Sequence, residues 1–437
     1  MADIVTSRIF TDGEKGITAA KLNDIIASSV IQPAFYSAKP PTSTVAPTDQ
    51  LLVLKTSGSY AQAPFQTVID SVSAGLPTGD TEIWNVRMRS YNAIGNPNFE
   101  VDQVNVGTNQ APGNALSVDR WFTFYGTGNG GWTVQQLSEN VMVPSTNFCI
   151  SRKYFRLTTS ATYSSPAATA YVYHLQAVEG SVLRELINDV HSIQLLVRSS
   201  VAGLKFGLAL QSGDQSRSLT KLCTISAANT WTLITLPNIP VWPAAGNFTL
   251  SPGTTGYSLI VTLLAGTTYT ASANDTWQSA NVFGAVGQDN FFSKPIGSTF
   301  DMAFVQHEPS AVCSQLMDLP FDRNLDACLR YYTKSYSYAV KGGTVTDAGA
   351  ISGIAMASQH PSIYTVFKKP MAKAPTVVPY SNVTGASSGV RDVLAGIDRS
   401  ANSVITLGET GFGGFTVSAT NASQTIYQWQ YVALSGL

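Results

Sequence analysis

Histidines, cysteines and carboxylates are the groups here that could bind a metal or move a proton, and their spacing limits what they can do. His174, His191, His307 and His360 form no H-x-H or H-x-x-x-H pair and have no cysteine at ligand distance. A zinc site is therefore not expected. Cys149, Cys223, Cys313 and Cys328 are scattered, and four in 437 residues make no disulfide framework, so buried free thiols are expected. Gly126-Thr-Gly128-Asn-Gly-Gly131 matches a dinucleotide fingerprint by letter. That fingerprint needs a helix after it, so that helix N–H groups face the pyrophosphate. Strand-like runs at Phe122–Tyr125 and Trp132–Val134 flank it instead, which predicts a glycine-rich hairpin turn. Gly385-Ala-Ser387-Ser-Gly389 matches a nucleophile elbow, but all four histidines precede it, so a turn is expected again. Carboxylate pairs for sugar hydrolysis come from distant strands and leave no local signature. No pair among the 27 acidic residues stands out, and no enzymatic activity is expected.

Aromatics remain. Trp and Tyr pair an apolar ring with a polar edge, which suits sugar C–H groups and also suits a sandwich core. Trp132, Trp231, Trp242 and Trp277 fit either use, and Trp132, Trp242 and Trp277 stand as the candidate glycan contacts. Tyr427, Trp429 and Tyr431 alternate along one run, so they share a strand face that is either domain core or a subunit contact.

The elements that must carry these residues are mostly strands. Charged residues are only 12%, with Ser, Thr, Asn and Gly in their place, a balance that suits sheets better than exposed helices. Hydrophobic residues at 44% suffice for several cores, and 437 residues predict two or three domains. A net charge of −1 with no basic tract argues against nucleic-acid binding. The first residues lack the features of a signal peptide, and no run of 18 apolar residues offers a membrane span.

The clearest helix falls at 18–31, where Leu22, Ile25, Ile26 and Val30 form one apolar stripe behind a Thr18 cap. A stripe so narrow must dock on a partner to fold. A proline-rich linker follows, then a small hairpin signal at Asp49–Lys55 and Ser59–Gln62. From about 83 to 310, short strand-like runs alternate with turn clusters, which predicts a sandwich or jelly roll. Short helical patches are expected at Val182–Val190 and Asn324–Tyr332. The predicted organisation is an arm at 1–82, a sandwich at 83–318, a connecting helix at 319–336 and a smaller β domain at 337–437. The fold class is mainly β.

Three stretches carry a resemblance. They are Asn98-Phe-Glu-Val-Asp-Gln103 with Asp119-Arg-Trp121, then Phe304-Val-Gln-His-Glu308, then Pro320-Phe-Asp-Arg323 leading to Cys328-Leu-Arg-Tyr-Tyr332. They resemble tail or head fibres and appendages of tailed bacteriophages that contain a carbohydrate-binding-module-like jelly roll. The resemblance spans about 92–380 and implies a virion location, assembly in the host cytoplasm and a homotrimer. It implies that the arm attaches to other virion proteins while the β domains project outward, toward host surface polysaccharide in an adhesive role. A capsid or neck decoration without receptor binding and a polysaccharide depolymerase are the alternative functions. No cofactor is expected beyond a structural calcium, common in such jelly rolls, for which Glu100, Asp102 and Asp301 are the candidate ligands.

Overall fold

In the computed structural model the described residues are 50–54, 60–64, 92–126, 131–144, 146, 148–355, 360–405, 407–418 and 425–436. The chain divides into two compact units, Met1–Trp84 and Asn85–Leu437. The expected helix at 18–31, with Leu22, Ile25, Ile26 and Val30, lies outside the described residues. In the first unit β1 (Gln50–Leu54) pairs antiparallel with β2 (Tyr60–Pro64), the hairpin anticipated from the sequence.

The second unit opens with eleven strands in two facing sheets: β3 (Ala115–Val118), β4 (Trp121–Tyr125), β5 (Trp132–Met142), β6 (Cys149–Thr159), β7 (Tyr171–Glu179), β8 (His191–Ser199), β9 (Leu204–Ser212), β10 (Ser218–Ile225), β11 (Thr232–Ile239), β12 (Thr255–Ala265) and β13 (Thr299–Glu308). One sheet runs β10-β9-β12-β7-β4-β3 and the other β11-β8-β13-β6-β5. This is the jelly-roll β-sandwich, in a protein that is mainly β. Period-two alternation sends Trp132 and Val134 of β5 inward to meet Trp121, Phe155, Phe206, Tyr257 and Phe300 in one core. The middle strands β8, β12 and β13 are buried on both faces, because loops cover their outer sides.

Two expectations need correction here. β4 and β5 do not pair as a hairpin, because β4 belongs to the six-stranded sheet and β5 to the five-stranded one; residues 127–130 between them lie outside the described residues. Between β4 and β5 the chain therefore passes from one sheet to the other, a connection that local turn signals in the sequence do not distinguish from a hairpin. The helical patches also shift. The first contracts to α1 (Gly180–Leu183), and the second is α2 (Phe321–Leu329), capped by Pro320. Tyr332 begins a strand instead of closing that helix.

The remaining strands are β14 (Tyr332–Lys334), β15 (Ile351–Ala355), β16 (Ser362–Val366), β17 (Thr376–Tyr380), β18 (Gly389–Asp392), β19 (Ile397–Val404), β20 (Gly411–Val417) and β21 (Thr425–Leu434). β21 pairs with β14, β15, β17 and β18, so it organises this domain. Its Tyr427, Trp429 and Tyr431 pack with Phe367, Phe412 and Phe415 and are at most 3% exposed. They are therefore core, and not a subunit contact. The Ser387 segment lies in a turn between β17 and β18, with a strand and no helix after it.

Two of the stretches that carry the family resemblance, residues 98–103 with 119–121 and residues 320–332, meet at one seam. Asp119 and Arg120 form the tight turn between β3 and β4, with Arg120 in the left-handed region at φ 74°. A side chain there is strained, and the surroundings hold it. Arg120 donates to the Ala177 carbonyl at 2.6 Å and lies 3.4 Å over the Tyr331 ring. Asp119 accepts from the backbone N–H and the side-chain amide of Gln103. Arg330 forms a bidentate pair with Glu179, which also accepts from the Tyr331 hydroxyl at 2.6 Å.

Candidate functional site

The five-stranded sheet places one cross-strand row of polar and aromatic side chains on its outer face. Pairing sets Arg198 of β8 opposite Asp301 of β13, and Asp301 opposite Arg156 of β6. Trp231 precedes Thr232, whose partner is Val197, so the indole stands beside Arg198 at the end of the same row. Asp301 is fully buried and binds both cations, Arg156 through Nε and Nη2 at 2.7 and 2.8 Å and Arg198 through Nε at 2.9 Å. Arg198 reaches on to Glu139 of β5 with two bonds of 3.1 and 2.9 Å, and Trp231 Nε1 donates to the same carboxylate at 3.1 Å.

The Glu139–Trp231 bond carries geometric information. These residues come from opposite edges of a five-strand sheet, about 19 Å apart if flat at ~4.8 Å per strand. Two side chains cannot span that distance, so the sheet bends toward this face and makes it concave. Tyr154 lies beneath, its ring edge-on to Trp231 at 5.6 Å, with the Arg198 guanidinium 4.3 Å from the indole centre. Arg156 and Glu139 stay 28% and 37% exposed, and Trp231 is half-buried. The row therefore offers an aromatic surface, hydrogen-bond donors and an acceptor at fixed positions. Fixed donors lose little freedom on binding, which favours recognition of a hydroxyl-rich ligand.

At the other end of this face the strand of chain after β13 folds back over the sheet. Ser314 donates to Glu308, Gln194 donates to the Ser314 carbonyl, and Leu316 packs beside Phe304 and Leu196. The accessible part of the concavity is thus the Trp231 end.

The predicted site residues fall differently. Trp132 and Trp242 are buried in the sandwich core at 0% and 5% exposure, so neither presents a ring to a ligand. Trp277 is partly exposed, but it packs on Trp242 with ring centres 5.3 Å apart, and its Nε1 donates to the Val241 carbonyl at 3.1 Å. Trp231 was legible as a flat aromatic. Its partners were not, because they come from strands whose register no local pattern reveals.

The calcium set does not assemble. Asp301 is committed to two guanidiniums, and Asp102 closes a loop by accepting from the N–H groups of Asn105 and Gly107 at 2.9 and 2.7 Å. Glu100 lies beside Arg152 and Asp301 beside Arg156, four residues apart on β6, roughly 13 Å at ~3.3 Å per residue. Calcium ligands converge within about 2.6 Å of the ion, so these three residues do not fit it. Among the described residues no group of three His, Cys, Asp or Glu is arranged to hold a metal.

His174, His191 and His307 are structural. His307 Nε2 and His191 Nδ1 share a hydrogen bond of 2.8 Å, and the Tyr257 hydroxyl meets His307 Nδ1 at 2.6 Å. His174 bonds Thr123 at 2.9 Å inside the sandwich. Burial holds His174 at about 3 and His191 at about 4, so both are neutral at pH 7. All four cysteines are free, but only Cys223 and Cys328 are buried; Cys149 is exposed and Cys313 half-buried.

No protein-family model matches this chain. No curated protein matches it either. Among solved structures it is similar to TmCBM61 in complex with β-1,4-galactotriose, at 12% identity and TM-score 0.25, over 50% of this chain and 98% of that one. It is similar to a family 11 carbohydrate-binding module from Clostridium thermocellum at 9% identity and TM-score 0.23, over 47% and 98%. It is also similar to the enzymatically active domain of tailspike protein 4 from bacteriophage CBA120 at 12% identity and TM-score 0.27, over 49% of this chain and 21% of that one. Likenesses this distant leave the weight on the chain's own residues.

Proposed function

We propose that this chain is a structural and adhesive virion protein, a fibre or appendage subunit of a tailed phage, that binds a host-surface glycan on the concave face of its sandwich. The observation that carries the reading is the row Trp231–Arg198–Asp301–Arg156, closed by Glu139. A buried carboxylate pins two guanidiniums, and a partly exposed indole stands beside them. The sugar ring stacks on Trp231 while Arg156 and Glu139 take its hydroxyls, and binding alone is the function. Two of the three motif stretches, residues 98–103 with 119–121 and residues 320–332, meet at one seam, and this supports the placement among phage fibres, since these residues of the resemblance act together to fix the sandwich. In this reading the subunit is a homotrimer, attached to other virion proteins through Leu22, Ile25, Ile26 and Val30.

A glycan array probed with the full chain and with Trp231→Ala tests the adhesive role. The expected result is binding by the parent and at least a tenfold weaker signal for the variant, the equivalent of about 1.4 kcal/mol. Equal signals would remove the concave face from recognition. No binding by the parent would favour a decoration role. Shortening of host capsule incubated with the chain would overturn the non-enzymatic reading in favour of a depolymerase.

A further inference from the structure

A second feature of the sandwich is unexplained by the concave row. An open groove of about 810 Å³ lies where the loop after Asn98, strands β5 and β6, and the chain entering α2 come together. One wall carries the carboxylates Glu100 and Asp318, and Arg152 and Lys153 of β6 also line it. Phe321 is 43% exposed, and its ring meets Tyr338 edge-on at 5.4 Å.

These groups are held in place. Asp318 accepts from the Asn98 amide at 2.6 Å, and Asn98 accepts in turn from the buried Asn324 at 3.1 Å. The Tyr338 hydroxyl accepts from the Asp102 N–H at 3.1 Å and donates to the Glu100 carbonyl at 3.3 Å, which fixes the ring behind Phe321. Lys153 donates to Ser138 at 2.7 Å. Burial and the neighbouring Glu100 charge push Asp318 up to about 6. Acceptors, donors and an exposed aromatic surface therefore converge on a space that the fold leaves open, an arrangement typical of a ligand site.

We infer that this groove is a second saccharide-binding site, in which Phe321 supports the sugar ring, Glu100 and Asp318 accept from its hydroxyls, and Lys153 and Arg152 donate to it. The assignment rests on the glycan-binding reading above but uses different residues. Arg152 of the groove and Arg156 of the row are four residues apart on β6 and so share a face, roughly 13 Å apart at ~3.3 Å per residue, which places the groove and the concave row within reach of one polymer. Two linked sites of modest affinity strengthen the hold on a polymer well beyond either alone.

Saturation-transfer NMR on the full chain tests this with four probes, glucose, galactose, N-acetylglucosamine and glucosamine, each at about 10 mM, a level that detects millimolar binding. At least one sugar is expected to bind the parent. Phe321→Ala and Asp318→Asn should each reduce its transfer at least fivefold on a background of Trp231→Ala, where the concave row is already disabled. Signal lost in Trp231→Ala alone, with no effect of the groove variants, would overturn the second site and leave the first standing. No transfer to any sugar would overturn the groove assignment, and glycan-array binding by the parent would show that the concave-face reading survives. Phe321 is exposed and Asp318→Asn preserves shape, so folding is expected to be kept and is checked by near-ultraviolet circular dichroism.

Discussion

At the residue scale the most informative group is Asp301. As one acid among 27 it invites a surface or metal-ligand reading, yet the fold buries it completely between two guanidiniums. Removing one partner from such a cluster leaves the others uncompensated, at a cost of about 3–5 kcal/mol for a fully buried pair. Here Arg156 and Arg198 keep 28% and 14% exposure, so water offsets part of that. Asp301→Asn should therefore destabilise the protein by about 2–3 kcal/mol, read as a lower urea midpoint at unchanged slope. An effect under half a kcal/mol would mean the carboxylate is not the anchor of the row. The tryptophans teach the same limit from the other side. Trp132, Trp231 and Trp242 are alike in sequence, each within or beside a strand-like run. What separates core from surface is tertiary placement: Trp132 takes the inner face of β5, Trp242 sits in the segment after β11 and packs on Tyr257, and Trp231 stands on the outer face, all set by pairings between strands as far apart as β6 and β13.

At the element scale, strands and hairpins were largely legible, because alternation and turn residues are local signals. Tyr427, Trp429 and Tyr431 were correctly placed on one face, and only its burial needed the fold. The misreadings came where a long-range pairing overrides the local pattern, as in the sheet-to-sheet crossing after β4. The α2–β14 segment shows how a motif recognised by resemblance gains a physical reason. Cys328 is buried, Arg330 and Tyr331 grip Glu179 of β7, and Tyr332 starts the strand that pairs with β21. Burial opposes ionisation of Glu179, but hydrogen bonds from Arg330, Tyr331 and Gly253 outweigh it and hold the carboxyl at about 2. A depressed carboxyl contributes stability above its unfolded value and loses it as pH falls through the folded value. Glu179→Gln should thus cost about 2 kcal/mol at pH 7 and far less at pH 2, where the parent has lost most of the same contribution. Chemical denaturation at the two pH values measures the difference, and an equal cost at both would remove the charge from the account.

At the scale of the whole molecule, the sandwich core contains buried neutral histidines, which couples its stability to acid. Desolvation lowers His174 to about 3 and His191 to about 4, and burial next to His191 lowers His307 as well. In the unfolded chain a histidine titrates near 6.5. Between that value and the folded one, the unfolded state binds a proton that the native state refuses. Stability is therefore full above about pH 6.5 and declines as pH falls, by about 2 kcal/mol per histidine on going from pH 7 to 5. Some carboxyls work in the opposite direction. Asp119 is raised to about 7 and Asp318 to about 6, both by burial first, so each favours the folded state as pH falls. The net slope of the parent is therefore a poor test, and a difference between variants is a clean one. His174 is suited to it, since among the described residues its Nδ1 bonds Thr123 and the Phe155 ring lies edge-on 4.5 Å away. In His174→Gln the carboxyl contributions cancel against those of the parent. Its stability should fall by about 2 kcal/mol less than the parent's between pH 7 and 5. Urea midpoints at the two pH values measure this, and parallel losses in parent and variant would mean that the imidazole takes up its proton inside the folded sandwich.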